Sequence, residues 1–166
     1  MSSPHTLLLL RHAEAEDTRP GFRDWDRRLS ERGREQAAVV GETVRTGGWS
    51  VDHVLCSSAV RTRETLDALQ LGDEVEVEIL DALYNAGSDG ILELIDALPP
   101  GAGCAAVVGH APGIPGVLHE LVDATTADPA AWAVVESRYP PATLAVVTLD
   151  DWADRSSARL LRAVRH

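Results

Sequence analysis

Short apolar runs alternate with longer amphipathic stretches along the chain. Thr6 to Leu10 is an essentially apolar run, which is typical of a strand covered by helices on both faces and therefore without a polar side. Val75 to Ile79 alternates apolar residues with glutamate, which predicts an edge or half-exposed strand. The same criteria predict further strands at His53 to Cys56, Ala105 to Val108, Thr143 to Leu149 and Ala158 to Val164.

The stretches between these strands carry helical signals. Ser30 is the expected N-cap of a helix that ends at Gly47-Gly48, and its apolar stripe consists of Ala37, Val40 and Val44. Further helices are predicted from Ala59 to Gln70, from Asp89 to Leu98, and from after Pro112 through Leu121. Strands that alternate with such helices predict an α/β fold of three layers, α/β/α, with a mainly parallel central sheet.

Length, charge and cysteine content narrow the class of protein. The chain has 166 residues, 45% of them hydrophobic, which suffices for one core, and we expect a single domain over residues 1–166. A net charge of -11 argues against a surface that binds nucleic acid or membrane, because both require excess cation. The apolar run before Arg11 is too short for a signal peptide or a membrane span. The two cysteines, Cys56 and Cys104, fit a reducing compartment, so we expect a cytoplasmic protein.

Histidine and arginine occur where the predicted parallel strands end. Arg11-His12 follows the first strand, Ser57 follows the second, and His110 follows the strand that ends at Val108. Ligands of such sheets bind at the carboxyl ends of the strands, so these side chains are expected to share one pocket. Arg61 belongs to the first turn of the next helix, where the helix dipole disfavours a cation and a bound anion would favour it.

Two arginines and two histidines around one pocket are typical of a phosphate site with an imidazole positioned to react. A neutral imidazole nitrogen can attack phosphorus, while cationic side chains stabilise the charge that develops on the phosphoryl oxygens. The sequence shows no carboxylate cluster of the kind that Mg²⁺ requires. We therefore expect chemistry that uses no metal and no cofactor.

Four segments, in this order, resemble the signature motifs of the histidine phosphatase superfamily, the phosphoglycerate-mutase-like proteins. They are TLLLLRHAEA (Thr6 to Ala15), DRRLSERGREQA (Asp26 to Ala37), CSSAVRTRET (Cys56 to Thr65) and VVGHAPGI (Val107 to Ile114). In the first segment, alanine stands where many members have glycine after the histidine. The short chain and the RHAEAE form are similar to the small SixA-like branch of phosphohistidine phosphatases.

The resemblance implies a phosphoglycerate-mutase-like fold and a role for each matching residue. His12 would be the nucleophile that becomes phosphorylated, and water would then hydrolyse phospho-His12. The resemblance implies that the phosphoryl oxygens are held by Arg11, Arg61 and His110. It also implies that Arg27 and Ser57 contact the substrate.

The resemblance is incomplete at one position. Many larger members carry a glutamic acid after the third strand, which protonates an alkoxide leaving group. The corresponding stretch here, Leu80 to Gly87, has Asp81 as its only carboxylate, and Glu14 is a second candidate acid. An alkoxide leaves poorly without an acid, whereas imidazole leaves a phosphorus–nitrogen bond with its ring already protonated. A missing acid therefore favours a phosphoramidate such as phosphohistidine, or a phosphoryl group with another easy leaving group, as the substrate.

The sequence thus predicts a metal-independent phosphatase that acts on phosphohistidine in a partner protein. Two alternatives stay open. One is a small-molecule phosphomonoesterase of the same superfamily, favoured if Asp81 or Glu14 acts as an acid, and the other is a non-catalytic member that binds a phosphorylated partner. The chain lacks a long insertion that could close over a sugar phosphate, which disfavours a mutase. Trp25, near Arg27, is a candidate for the border of the pocket.

Overall fold

The computed structural model describes residues 4–166 and has a six-stranded sheet at its centre. The strands are β1 (His5–Arg11), β2 (His53–Ser57), β3 (Glu76–Leu80), β4 (Cys104–Gly109), β5 (Leu144–Leu149) and β6 (Arg159–Val164). They are ordered β3-β2-β4-β1-β5-β6. The strands β3, β2, β4 and β1 run parallel, β5 is antiparallel to β1, and β6 is antiparallel to β5. The predicted mainly parallel sheet is confirmed.

Helices cover both faces of this sheet. They are α1 (Glu31–Thr46), α2 (Val60–Leu69), α3 (Ser88–Asp96), α4 (Gly113–Leu121) and α5 (Pro129–Glu136). The first two pack on one face of the sheet, and the other three pack on the opposite face. The predicted three-layer α/β/α architecture is therefore confirmed. Between residues 4 and 166, no helix is long and apolar enough to span a bilayer.

The apolar character of β1 explains its central position. Leu7 and Leu9 belong to the core beneath α3, α4 and α5, whereas Leu8 and Leu10 belong to the core beneath α1 and α2. All four leucines are at most 2% exposed. A strand without a polar face is stable only between two helical layers, and this places its last residue, Arg11, in the middle of the sheet edge.

Local signals set the ends of several elements. The Oγ of Ser30 accepts a hydrogen bond from the N–H of Gly33 at 2.9 Å, which confirms Ser30 as the N-cap of α1. The alternating strand β3 lies at the edge of the sheet, with Val77 and Ile79 exposed, as its pattern predicts.

The helix α5 was not predicted from the sequence. Asp128 caps it by accepting hydrogen bonds from the N–H groups of Ala130 and Ala131, and Pro129 is its first residue. Aspartate followed by proline is a typical start of a helix, so this signal was readable in the sequence.

The parallel strands β1, β4 and β2 end side by side. Arg11 is paired with Gly109 in the register of β1 and β4, and Cys56 of β2 is paired with Val108 of β4. The residues that follow these ends therefore meet at one edge of the sheet, where ligands of parallel sheets bind. Two short 3-10 turns, Asp24–Asp26 and Asp81–Leu83, belong to the loops after β1 and β3.

Candidate active site

A cleft of about 410 Å³ lies at the carboxyl ends of β1 and β4. Its lining residues are Arg11, His12, Glu14, Ala15, Arg27, Arg61, Tyr84, Asn85, Ala86, Gly87, His110, Ala111, Pro112 and Pro141. Three of the residues predicted for the site or its border, Ser57, Asp81 and Trp25, are not among them. A larger groove of about 1000 Å³ runs along α2 and β3, but no histidine lines it. The reactive side chains therefore belong to the smaller cleft.

His12 is held rigidly at the end of β1 and is only 7% exposed. Its backbone N–H donates to the carbonyl of Gly109, and its own carbonyl accepts from the N–H of Ala142. The ring Nδ1 donates to the carbonyl of Ala13 at 2.7 Å. This bond places the ring proton on Nδ1 and leaves a lone pair on Nε2, which faces the Nε of Arg61 at 3.3 Å.

The surroundings of His12 favour its neutral form. Burial lowers the pKa of His12 to about 3. The hydrogen bond to Ala13 opposes this decrease, and repulsion from His110 when that ring is protonated, from Arg61 and from Arg11 adds to it. The ring is therefore neutral at neutral pH, with its proton on Nδ1 and none on Nε2. An imidazole in this state can act as a nucleophile through Nε2.

His110 follows β4, and its ring centre lies 5.2 Å from that of His12. The Nδ1 of His110 lies 3.4 Å from Nη2 of Arg61, and its Nε2 lies 2.8 Å from Oγ of Ser57. Because a guanidinium can only donate, Nδ1 accepts and Nε2 donates to Ser57. Burial and the charge of Arg61 lower the pKa of His110 to about 4. Ser57, which the sequence placed in contact with substrate, is fully buried behind His110 and orients its ring.

Arg11 reaches the cleft from the last position of β1. Its Nη1 donates to the carbonyl of Tyr139 at 2.9 Å, and its buried Nε has no hydrogen-bond partner within residues 4–166. The loop that supplies this carbonyl holds Arg138, Tyr139 and Ala142 at positive φ values of 53°, 42° and 60°. Such strained conformations cluster at functional sites. Burial, followed by the charge of Arg61, lowers the pKa of Arg11, so an anion in the cleft would relieve both effects.

Two residues that the sequence patterns missed, Asp24 and Tyr84, complete the arrangement. The Asp24 carboxylate accepts hydrogen bonds from Nη1 of Arg27 at 2.9 Å, from the Tyr84 hydroxyl at 2.9 Å and from Nη2 of Arg61 at 3.0 Å. Desolvation opposes ionisation of Asp24, but these hydrogen bonds outweigh it and lower its pKa to about 2. The anion that the sequence predicts beside Arg61 is, in the free protein, a carboxylate of the chain itself.

The two candidate acids occupy different places. Glu14 lines the cleft, but its Oε1 accepts from the Ser30 hydroxyl at 2.8 Å and its Oε2 lies 3.6 Å from Nη1 of Arg32. Both oxygens are therefore engaged by the start of α1. Asp81 lies in an adjoining depression that Trp25 also lines. Trp25 thus borders this depression. The carboxylate that is hydrogen-bonded to Arg61 is neither of the predicted acids but Asp24.

The charge of the cleft is opposite to that of the whole protein. Three arginines and a single glutamate line it, although the chain carries a net charge of -11. Within the part of the chain that the structure describes, no group of three or more His, Cys, Asp or Glu residues is arranged to hold a metal ion. The cleft is suited to bind a small anion through guanidinium and imidazole groups.

Known proteins are similar to this chain in both sequence and fold. The model of the histidine phosphatase superfamily (branch 1) matches residues 7–91. An uncharacterised protein of Mycobacterium leprae is 33% identical over 144 residues, which cover 84% of this chain and 87% of that protein.

Solved structures of similar proteins superpose on this chain over nearly its full length. The structure of SixA from Nakamurella multipartitia, assigned as a phosphohistidine phosphatase, has a TM-score of 0.86 at 36% identity and covers 99% of this chain and 97% of its own. The SixA structure from Agrobacterium tumefaciens, assigned in the same way, has a TM-score of 0.84 at 30% identity and covers 99% and 100%. With a family model that spans just over half of its residues and relatives of this similarity, the chain belongs to the histidine phosphatase superfamily.

Proposed function

We propose that this protein is a metal-independent phosphatase that hydrolyses phosphohistidine on a partner protein through a phospho-His12 intermediate. The observation that carries this proposal is the state of His12. Its Nδ1 is occupied by the carbonyl of Ala13, and its unprotonated Nε2 faces a cleft lined by arginines. This is the arrangement that attack on an anionic phosphoryl group requires.

In the first step, the Nε2 lone pair of His12 attacks phosphorus and the bond between phosphorus and the substrate nitrogen breaks. The electron pair of that bond returns to the substrate imidazole, which leaves as a neutral ring if its other nitrogen already carries a proton. No acid of the enzyme has to supply a proton to this leaving group. Transfer from phosphohistidine therefore does not require the Glu14 carboxyl group, whose oxygens are engaged by Ser30 and Arg32.

In the second step, water attacks phosphorus and the bond from phosphorus to Nε2 of His12 breaks. The electron pair returns to Nε2, one water proton stays on the phosphate, the other stays there as well or passes to solvent, and neutral His12 is regenerated. In phospho-His12 the proton stays on Nδ1, hydrogen-bonded to the carbonyl of Ala13. With phosphorus on Nε2 and a proton on Nδ1, the ring carries a positive charge and is a good leaving group. The hydrogen bond to Ala13 thus serves both steps.

Charge on the transferred phosphoryl group would be stabilised by Arg11, Arg61 and Arg27. All three line the cleft, and the Nε of Arg11 has no hydrogen-bond partner within residues 4–166. His110 would add a donor once it is protonated, because a phosphoryl dianion opposes the effects that lower its pKa in the free protein. Donors placed in advance of the reaction are the largest contribution to catalysis of this type.

Three observations support phosphohistidine on a protein as the substrate. The two SixA structures are assigned as phosphohistidine phosphatases and are at least 30% identical to this chain. The rim residues Glu14 and Arg27 are only half-buried, so a side chain displayed by another protein can reach the cleft. The carboxylates of Glu14 and Asp24 are engaged by other residues, and Asp81 is not among the residues that line the cleft. The cytoplasmic location inferred from the sequence stays a prediction.

The decisive experiment compares substrates. We expect kcat/KM for a protein phosphorylated on histidine to exceed kcat/KM for a panel of phosphate esters, including sugar phosphates and p-nitrophenyl phosphate. Preference for one ester of the panel would instead assign the protein as a small-molecule phosphomonoesterase. Binding of the phosphorylated protein without any turnover would assign it as a non-catalytic member.

A further inference from the structure

The guanidinium of Arg61 has two edges that face different partners. The edge formed by Nε and Nη2 faces the two histidines: Nε lies 3.3 Å from Nε2 of His12, and Nη2 lies 3.4 Å from Nδ1 of His110. These two donors are parallel, as they are in the side-on pairs that arginine forms with phosphate. A phosphoryl group bound between the histidines would meet this edge.

The other edge, formed by Nη1 and Nη2, is held by one residue. Nη1 donates to the backbone carbonyl of Asp24 at 2.8 Å, and Nη2 donates to the Oδ2 of its carboxylate at 3.0 Å. Both bonds are shorter than the bonds of Arg61 to the two imidazoles. The second of them joins opposite charges and is therefore stronger than a bond between neutral groups.

Asp24 is itself fixed from three directions. Its Oδ1 accepts from Nη1 of Arg27 at 2.9 Å, and its Oδ2 accepts from the hydroxyl of Tyr84 at 2.9 Å. These hydrogen bonds and the charge of Arg61 keep the carboxylate ionised, with a pKa of about 2. The Asp24 side chain is 47% exposed and is not one of the residues that line the cleft. It therefore contacts the residues of the phosphate site from outside.

We propose that Asp24 is a positioning residue, which holds the outer edge of Arg61 so that the inner edge stays aimed at the phosphoryl group between His12 and His110. The proposal rests on the proposed function, because it assumes that the cleft receives a phosphoryl group. When this group enters, its oxygens replace the two imidazole nitrogens as acceptors for Arg61. The bonds to Asp24 persist, so the guanidinium does not have to reorient.

Two other roles for Asp24 predict different behaviour. If the carboxylate competed with the phosphoryl group for Arg61, its removal would tighten binding of phosphate analogues. If the carboxylate reacted directly with water or substrate, its effect would not depend on Arg61. A positioning role predicts weaker anion binding on removal of the charge, and an effect that disappears when Arg61 is absent.

The test is a double-mutant cycle with orthovanadate as the anion. We expect Asp24→Asn to weaken vanadate binding, and to lower kcat/KM for p-nitrophenyl phosphate, by about 10- to 100-fold, which corresponds to loss of one charge-assisted hydrogen bond. In an Arg61→Ala background, the same substitution should change vanadate affinity by less than about two-fold. Asp26→Asn is the matched control, since Asp26 belongs to the same 3-10 turn but pairs with the exposed Arg23, and it should leave both quantities unchanged.

Every outcome decides the proposal. Tighter vanadate binding by Asp24→Asn, an undiminished effect in the Arg61→Ala background, or an equal effect of Asp26→Asn would each overturn it. Circular dichroism and thermal melting of all variants separate these effects from loss of the fold. If the wild type binds vanadate but does not hydrolyse phosphohistidine, the proposed function fails while the vanadate cycle still judges Asp24. If the wild type binds no vanadate, the phosphoryl site is wrong and the proposal fails with it.

Discussion

The Nε of Arg61 lies 3.3 Å from the Nε2 of His12 and donates its proton toward the lone pair that would attack phosphorus. A guanidinium stays protonated at any ordinary pH, so its presence opposes a second proton on the imidazole. Burial is the main reason why the nucleophile is neutral, and the cation proposed to hold the phosphoryl group adds to this effect.

This relationship predicts that stability depends on pH through His12. The pKa of His12 is lowered from 6.5 to about 3 in the folded protein, so between these values the unfolded chain binds a proton that the folded chain does not. The free energy of unfolding should therefore fall as pH decreases below 6.5, by about 1.4 kcal/mol per pH unit. Urea denaturation at pH 7.5 and pH 5 checks this: His12→Asn, which cannot titrate, should lose about 2 kcal/mol less than the wild type. Equal losses would show that His12 does not titrate in this way.

His12→Asn also tests the nucleophile. The asparagine amide can still donate to the carbonyl of Ala13, so the loop should stay in place, but it offers no nitrogen lone pair. We expect turnover of p-nitrophenyl phosphate and of phosphohistidine to fall by about 1000-fold or more, with the melting temperature at pH 7.5 nearly unchanged. His119→Asn, at an exposed position near the end of α4, is the control and should retain full activity. Residual turnover near the wild-type value would assign the nucleophile to another residue.

The candidate acids give a third prediction. If imidazole is the leaving group, Glu14→Gln and Asp81→Asn should lower kcat/KM for phosphohistidine far less than the about 100-fold that loss of a working general acid costs. The same variants should be assayed with an alkyl phosphate, whose leaving group needs a proton. A large loss with phosphohistidine for either variant would mean that this carboxyl group is the acid and would favour the phosphomonoesterase alternative.

The sequence predicted the residues that sit at the ends of strands and missed those that depend on contacts between distant segments. Arg11, His12 and His110 could be placed because an apolar strand, its end and the edge of a parallel sheet are all local patterns. Asp24 could not, since its bonds to Arg61 and Tyr84 join residues that are 37 and 60 positions apart. No periodicity marks such a residue, because the loop that carries it has none.

Ser57 and α5 illustrate two other reasons for incomplete prediction. Ser57 was placed at the correct edge of the sheet, but whether its hydroxyl faces the cleft or the ring of His110 depends on a rotamer that only packing determines. The helix α5 is short and rich in alanine and valine, so its apolar pattern has no clear period. Its cap, Asp128 with Pro129, was the better signal.

Gly33 gives the last prediction, because the backbone of Glu14 lies where its side chain would be. It lies in the first turn of α1, and a Cβ there would overlap the backbone carbonyl oxygen of Glu14, two residues after His12. Gly33→Ala should therefore destabilise the fold by about 1–3 kcal/mol and lower turnover, since the loop after β1 must move. Gly90→Ala is the control: it lies in the first turn of α3, its Cβ would meet only Ala86 at 3.8 Å, and it should be neutral or stabilise by up to about 1 kcal/mol. Urea denaturation and p-nitrophenyl phosphate hydrolysis measure both variants. If Gly33→Ala matched Gly90→Ala in stability and activity, the close contact between α1 and the loop after β1 would not limit the position of His12.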